Sequence, residues 1–308
     1  MNKKLDILIP VYNENKIIVK TIKQILDHVK CNYEIFICYD YDEDPTLNII
    51  KKNFNKNTKI NFIKNNSKGF NQALISGINN TQGDAVLVYM ADDHENYKLI
   101  DECFNKFNEG FDIVCPSRFI QGGKMEGNTF IKEILTKLAS FFFLYFTTFP
   151  IKDSTNAFRL FSRTLLKKIN FESSRGFTLC FEITAKGHRL DCKIVEIPSI
   201  WIQREQGESR FKILSFLPTR SDQNSDGPFD VNRITIAMNS IIITNDNNNI
   251  TPKNKSKTRF IFHLVKRWQA LPKVLRSHDF SGHTHDRSAP FYYALLVIRF
   301  LVSIWHLQ

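Results

Sequence analysis

The sequence contains no CxxC pair, and its six cysteines (Cys31, Cys38, Cys103, Cys115, Cys180, Cys192) lie far apart along 308 residues. Neither a zinc-ribbon site nor a disulfide framework fits that spacing, and reduced, mostly buried thiols are the simpler expectation. There is also no glycine-rich phosphate loop near the first apolar run, which argues against a nucleotidyltransferase. No signal-like opening is present: Met1, Asn2, Lys3 and Lys4 precede an apolar run broken at Asp6 and Pro10, so the N-terminus is expected to stay in the cytosol. Long uncharged stretches are missing as well. Lys137 and Lys152 bracket only about a dozen such residues around Phe141 to Phe149, and a bilayer span needs about 20. Residues 291–307 are apolar but carry Arg299, which makes them marginal as a span and favours an interfacial or protein-packed helix.

What is present is ordinary globular composition, with 43% hydrophobic and 24% charged residues and a net charge of +11. The charge is uneven. Residues 1–210 hold 29 Lys and Arg against 25 Asp and Glu, whereas residues 211–308 hold 13 against 6. A nucleic-acid binder would need a basic stripe interleaved with aromatics, and the nearly balanced first two-thirds does not supply one.

Short β-branched runs alternate with amphipathic stretches from Leu5 to about Ile200, the pattern of an α/β fold with a mainly parallel sheet. Strands are expected at 6–11, 33–39, 59–63, 85–90, 112–115 and 193–201, and helices at 16–29, 46–52, 70–78 and 97–107. Ligands bind such sheets beyond the carboxyl ends of the strands. There the sequence places Pro10-Val11-Tyr12-Asn13-Glu14, then Asp40-Tyr41-Asp42-Glu43-Asp44, then Met90-Ala91-Asp92-Asp93-His94-Glu95. Taken singly, Asn13 reads as a helix cap and the acidic runs read as solvated loops. An ion bridging a diphosphate, however, needs only one or two carboxylates besides phosphate oxygens, and a strand end can present them.

As a series these residues resemble glycosyltransferase family 2, in its dolichol-phosphate mannose synthase-like branch. The series continues through Gly69, Ala73 and Gly77, Gly83-Asp84, Ser117-Arg118, Asp153 to Arg159, Gly176-Phe177 with Glu182, Glu196-Ile197-Pro198 and Arg204 to Arg210, covering roughly residues 5–215. The resemblance implies a GT-A, Rossmann-like fold over 1–216; after Phe216 the α/β rhythm stops, and 217–308 reads as an irregular basic extension that resembles nothing in the family. It also implies an inverting transfer of a mannose- or glucose-type sugar from a nucleotide-diphosphate sugar to a polyprenyl phosphate, with Mg2+ or Mn2+. By the same likeness Pro10, Tyr12, Glu14 and Asp40 would hold the nucleotide and Asp92 and His94 the metal. Arg118 and Arg159 would face the acceptor, and Arg204, Ser209 and Arg210 would bind phosphate. An anionic acceptor needs no strong base; a saccharide hydroxyl, the acceptor of the alternative polysaccharide-extending reading, does, and Asp153 and Glu182 are then the candidates. The residues of 129–151 alone suit an ordinary buried helix or an interfacial one; a lipid acceptor implies work at the cytosolic face of a membrane, where they would form an interface helix.

Three departures stand out. Met90 replaces the first carboxylate of the family's Asp-Ala-Asp, which implies altered metal coordination rather than loss of activity, with a catalytically dead relative as the rival reading; Tyr39 to Asp42 replaces Asp-Asp-Gly-Ser; and Ser209-Arg210 replaces Ser-Lys. Arg in place of Lys keeps the charge but changes its geometry from a point to a planar fork.

Overall fold

The structure is a computed structural model that describes residues 3–14, 17–127, 137, 140, 144, 149–173 and 178–202. Its first half is a run of strand-helix units: β1 (Leu5–Val11), α1 (Ile17–His28), β2 (Tyr33–Tyr39), α2 (Pro45–Phe54), β3 (Ile60–Lys64), α3 (Phe70–Asn79), β4 (Ala85–Val88), α4 (Lys98–Asn108) and β5 (Ile113–Ser117). After these come β6 (Lys124–Glu126), β7 (Arg159–Ser162), α5 (Arg163–Leu166), α6 (Leu179–Arg189), β8 (Ile194–Pro198) and β9 (Ile200–Ile202).

Every residue of β1 is buried, as expected of a strand covered by helices on both faces. The two-residue period divides its side chains. Leu5, Ile7 and Ile9 join a core with Ile18, Ile22 and Ile25 of α1 and Ile100, Cys103 and Phe104 of α4. Leu8 points the other way, into a core with Ala73 and Leu74 of α3 and Leu179 and Ile183 of α6. On that second face α3 lies so close to the sheet that a Cβ at Gly77 would sit 2.8 Å from Cys38 Sγ and from Leu8 Cδ1.

The main sheet has the order β3-β2-β1-β4-β7-β5-β8. All its pairings are parallel except those of β7, which runs antiparallel to both β4 and β5. The mainly parallel expectation therefore holds, with one inserted reversed strand that the sequence pattern did not reveal. The apolar run expected as one strand over 193–201 is two. Pro198 has no N–H to add to a ladder, the Ser199 N–H to Ser117 O bond (3.0 Å) is the last rung to β5, and β9 then pairs with β6 outside the main sheet.

All six cysteines are free, and burial pushes the Cys38 thiol up to about 12. Among the described residues no helix is long and apolar enough to cross a membrane. Much of 129–151 lies outside the described residues, but Ser140, Phe149 and Ile151 are buried, and Phe149 stacks on Phe181 at 4.3 Å between ring centres. Phe149 is thus a core residue rather than part of a lipid-facing surface. The expected domain boundary at 216, the extension 217–308 and the segment 291–307 lie outside the described residues.

Candidate functional site

The carboxyl ends of β1, β2, β4 and β5 and the amino end of β7 open on one edge of the sheet. Chain reversals there are fixed by short polar side chains. Near the end of β1, Pro10 is buried in the ladder opposite Cys38; beyond the strand Tyr12 is 48% exposed and Asn13 adopts a left-handed backbone (φ 50°). The described part of α1 starts at Ile17, four residues after Asn13. Asn13 donates its N–H to Asp44 Oδ2 (2.9 Å) and accepts the Tyr41 hydroxyl at its side chain. The buried Glu14 exchanges main-chain bonds with Thr46, through Glu14 N to Thr46 Oγ1 (2.8 Å) and Thr46 Oγ1 to Glu14 O (3.1 Å). Asp44 itself caps α2 through Thr46 N (2.9 Å). Asp44 and Thr46 thus tie the β1 and β2 loops together, and Tyr12 meets Tyr41 edge-on at 5.7 Å.

Asp40 closes the next gap. Its carboxylate accepts Asn65 Nδ2 (2.8 Å) and the N–H of Gly69 (2.9 Å), the residue with φ 98° that starts α3. Pro10, Tyr12, Glu14 and Asp40 therefore line adjacent loops at one end of the sheet.

The β4 loop is held from both sides. From α1, the buried Thr21 donates its hydroxyl to Ala91 O (2.8 Å), next to Asp92. Asp93 accepts from the N–H groups of Glu95 (3.3 Å) and Asn96 (3.0 Å) and from the Asn96 side-chain amide (2.9 Å). Burial raises the Asp93 carboxyl above its ordinary value against those bonds, which lower it. Asp92 is half-buried. His94 turns one ring nitrogen to Asp92 O (3.2 Å) and the other to Glu95 Oε1 (3.2 Å), so ligating a metal would require its ring to rotate. Among the described residues no three His, Cys, Asp or Glu side chains form a closed metal cage. The donor set fits an ion that takes one carboxylate, from Asp92, and completes its shell with phosphate oxygens and water.

Arg118 and Asp153 form a bidentate pair, Nε to Oδ2 and Nη2 to Oδ1, each 2.7 Å, with the Arg118 N–H on Oδ2 at 3.0 Å. The side chains are 10% and 0% exposed. Burial pushes the Asp153 carboxyl up, but the bonds and charge of Arg118 outweigh it and hold the carboxyl below its ordinary value. Glu196 on β8 straps the same segment by accepting Lys152 N (3.0 Å) and Asp153 N (3.2 Å). Glu182 on α6 is similar: burial raises its carboxyl, while Lys186 at 2.7 Å and the Ser173 N–H bring it below its ordinary value.

Arg159 departs from expectation. It is 0% exposed, and its guanidinium donates to Cys180 O (3.0 Å), Thr184 Oγ1 (2.8 Å), Asp153 O (3.0 Å) and Ser154 O (2.9 Å). A side chain locked to four protein oxygens beneath the sheet edge does not face an acceptor; it shapes the segment that carries Asp153. Gly83 is likewise a packing residue, since a Cβ there would lie 2.6 Å from the Asp6 carboxylate, which pairs with Arg163 (3.0 Å). Arg204, Ser209 and Arg210 lie outside the described residues.

Sequence reasoning missed Thr21, Asn96 and the strapping role of Glu196. A polar residue just ahead of α4 reads as an ordinary cap, and nothing local announces that β9 lies beside it.

The family model of Glycosyl transferase family 2 matches residues 6–170. A dolichol-phosphate mannosyltransferase of Pyrococcus furiosus is 27% identical over 214 residues, 68% of this chain and 59% of that protein. An uncharacterized glycosyltransferase of Synechocystis is 31% identical over 174 residues, 55% of this chain and 53% of that protein. The chain thus spans about half the length of the curated relatives it matches. The crystal structure of glucosyl-3-phosphoglycerate synthase from Mycobacterium tuberculosis superposes with a TM-score of 0.54 over 70% of this chain and 75% of that one, at 15% identity, a likeness of fold. With the family match extending from β1 through α5 and the sheet shared with a GT-A enzyme, this chain belongs to glycosyl transferase family 2 and has the GT-A fold.

Proposed function

We propose that this chain transfers a mannose- or glucose-type sugar, with inversion, from a nucleotide-diphosphate sugar to a polyprenyl phosphate at the cytosolic face of a membrane. The observation that carries the choice of acceptor is the state of Asp153 and Glu182. Both carboxyls are ion-paired and held below their ordinary values, so neither is suited to take a proton from a sugar hydroxyl. A phosphate acceptor is already anionic and needs no such base. The likeness to the Pyrococcus mannosyltransferase supports the same reading.

On this reading Pro10, Tyr12, Glu14 and Asp40 hold the nucleotide, in the loops that Asp44, Thr46 and Asn65 brace. Asp92 would hold Mg2+ or Mn2+, with His94 joining only if its ring turns; the Mycobacterium tuberculosis enzyme was crystallised with Mn2+ and UDP. A bound divalent ion supplies charge neutralisation at the departing diphosphate. Arg118 and Asp153 are together neutral, so what they offer is a fixed orientation on the acceptor side. Arg204, Ser209 and Arg210 close positive charge over the donor phosphates. Membrane seating falls to residues of 129–148, since Phe149 is buried.

The test is transfer of radiolabelled sugar from GDP- and UDP-sugars into organic-extractable polyprenyl phosphate, with Mg2+ or Mn2+ present. Label in the lipid phase that disappears with EDTA is expected. Consumption of donor only with a saccharide acceptor would replace this reading with the polysaccharide one, and absence of all turnover would make the chain a dead relative.

A further inference from the structure

The β4 loop and β9 are joined by one side chain. Asn96 is 9% exposed and uses its amide in two directions. Toward β9 it mimics a neighbouring peptide, donating Nδ2 to Ile200 O (2.7 Å) and accepting the Ile200 N–H at Oδ1 (3.2 Å). Toward the loop, Nδ2 also reaches both oxygens of Asp93 (2.9 Å each), while the Asn96 N–H donates to Oδ1 at 3.0 Å. Ile200 belongs to the short ribbon that pairs Lys124–Glu126 with Ile200–Ile202, outside the main sheet. The Asp92 turn therefore rests on a strand that the main sheet does not itself hold.

A carboxamide suits this task and its common replacements do not. It presents a donor and an acceptor in one plane, which matches the C=O and N–H of a single residue. Aspartate would keep the acceptor but lose both donors and add charge opposite Asp93; alanine would leave the Ile200 peptide and the buried Asp93 carboxylate short of partners. In sequence, Ile202 stands two residues before Arg204.

We propose that Asn96 is a positioning residue that pins the Asp92 turn to β9 and thereby sets the affinity for the metal-nucleotide pair. The inference rests on the functional reading above. It assigns Asn96 no contact with donor or metal. Loss of a partner one step behind a metal ligand typically weakens metal binding about 10- to 100-fold, and the smaller figure fits a residue acting through the neighbouring Asp93.

The experiment uses the full chain and its Asn96→Ala, Asn96→Asp and Ile183→Val variants; Ile183 is a buried residue of α6 in the core on the face of the sheet away from α4. Binding of GDP and UDP is titrated against Mn2+, and amide hydrogen exchange is followed in the metal-free protein. Expected for both Asn96 variants is a roughly tenfold rise in the Mn2+ needed for half-maximal nucleotide binding. Faster exchange confined to 92–97 and 199–202 should accompany it, with Ile183→Val leaving the Mn2+ requirement alone. The inference is overturned if the Asn96 variants bind as the wild type does, or if their exchange rises across the whole sheet. A wild type that binds neither nucleotide overturns the functional reading, and the inference with it; a wild type that binds beside unchanged variants overturns the inference alone. Should Asn96→Ala not fold, the near-isosteric Asn96→Asp carries the same comparison.

Discussion

Replacing Asp153 by Asn tests the buried pair that fixes the segment ahead of β7. In the native protein the carboxylate accepts three bonds from Arg118 and two from Thr155, at 2.7 to 3.3 Å, with the Asp153 side chain fully buried. An amide of the same shape turns one acceptor position into a donor facing Arg118 N–H groups and leaves a guanidinium without its counter-charge. Removing one partner of a buried pair costs about 3 to 5 kcal/mol. At about 2 to 4 °C per kcal/mol for a unit of this size, the midpoint of thermal unfolding should fall by roughly 6 to 20 °C. Lys106→Ala supplies the comparison: its pair with Glu109 is solvent-accessible, with side chains 32% and 53% exposed, and its loss should cost under about 1 kcal/mol. The pH dependence adds a second check. The Arg118 bonds and charge hold the Asp153 carboxyl below its ordinary value in the folded chain, so its contribution is complete above the ordinary carboxylate value and is lost as pH falls through the lowered one. Urea unfolding followed by circular dichroism at several pH values should show a wild-type advantage that narrows in acid. The reasoning fails if Asp153→Asn is no worse than Lys106→Ala near neutral pH, or if its deficit is the same at every pH.

Asp92→Ala should abolish metal-dependent transfer while moving the unfolding midpoint by no more than a surface change would; unaltered turnover removes Asp92 from the metal site. Arg204→Ala should lower kcat/KM for the donor by about 1.5 to 3 kcal/mol, the worth of a charge-assisted contact, and normal kinetics would place the phosphate clamp elsewhere. Gly83→Ala should destabilise by about 1 to 3 kcal/mol, the usual cost of forcing a methyl into a packed site, because its Cβ would lie 2.6 Å from the Asp6 carboxylate. A neutral result from denaturant melts would mean that Asp6 moves aside at little cost.

The strands β1, β2 and β4 and the helices between them were legible because their signal is local: a buried run, then a stripe such as Ile18, Ile22 and Ile25. The reversed strand β7 was not, since four apolar-flanked residues beginning with Arg159 resemble a loop. An arginine there reads as a ligand-binding cation, and only the backbone oxygens of Asp153, Ser154 and Cys180 gathered around it reveal a packing role. The acids after β2 were visible as a cluster, but a sequence does not say which oxygens face inward. Asp44 caps a helix and braces Asn13, Asp40 holds Gly69, and Asp42 pairs with Lys64 at the surface. Expectations fared best where one residue's neighbours decide its state, and worst where a partner lies a hundred residues away, as Ile200 does from Asn96.

The reversed strand also governs how the chain can assemble. Strands β1 to β4 pair among themselves, whereas β5 meets that group only through β7, with Val88 opposite Arg159 and Val114 opposite Leu160. As the chain leaves the ribosome, the four-stranded block can form early from nearby segments. The second half of the sheet waits until residues near 160 arrive, and contacts so distant in sequence are the slow ones. Until then the inner edge of β4 is bare, and a nascent chain halted before Arg159 exposes an apolar strand edge of the kind that recruits other chains.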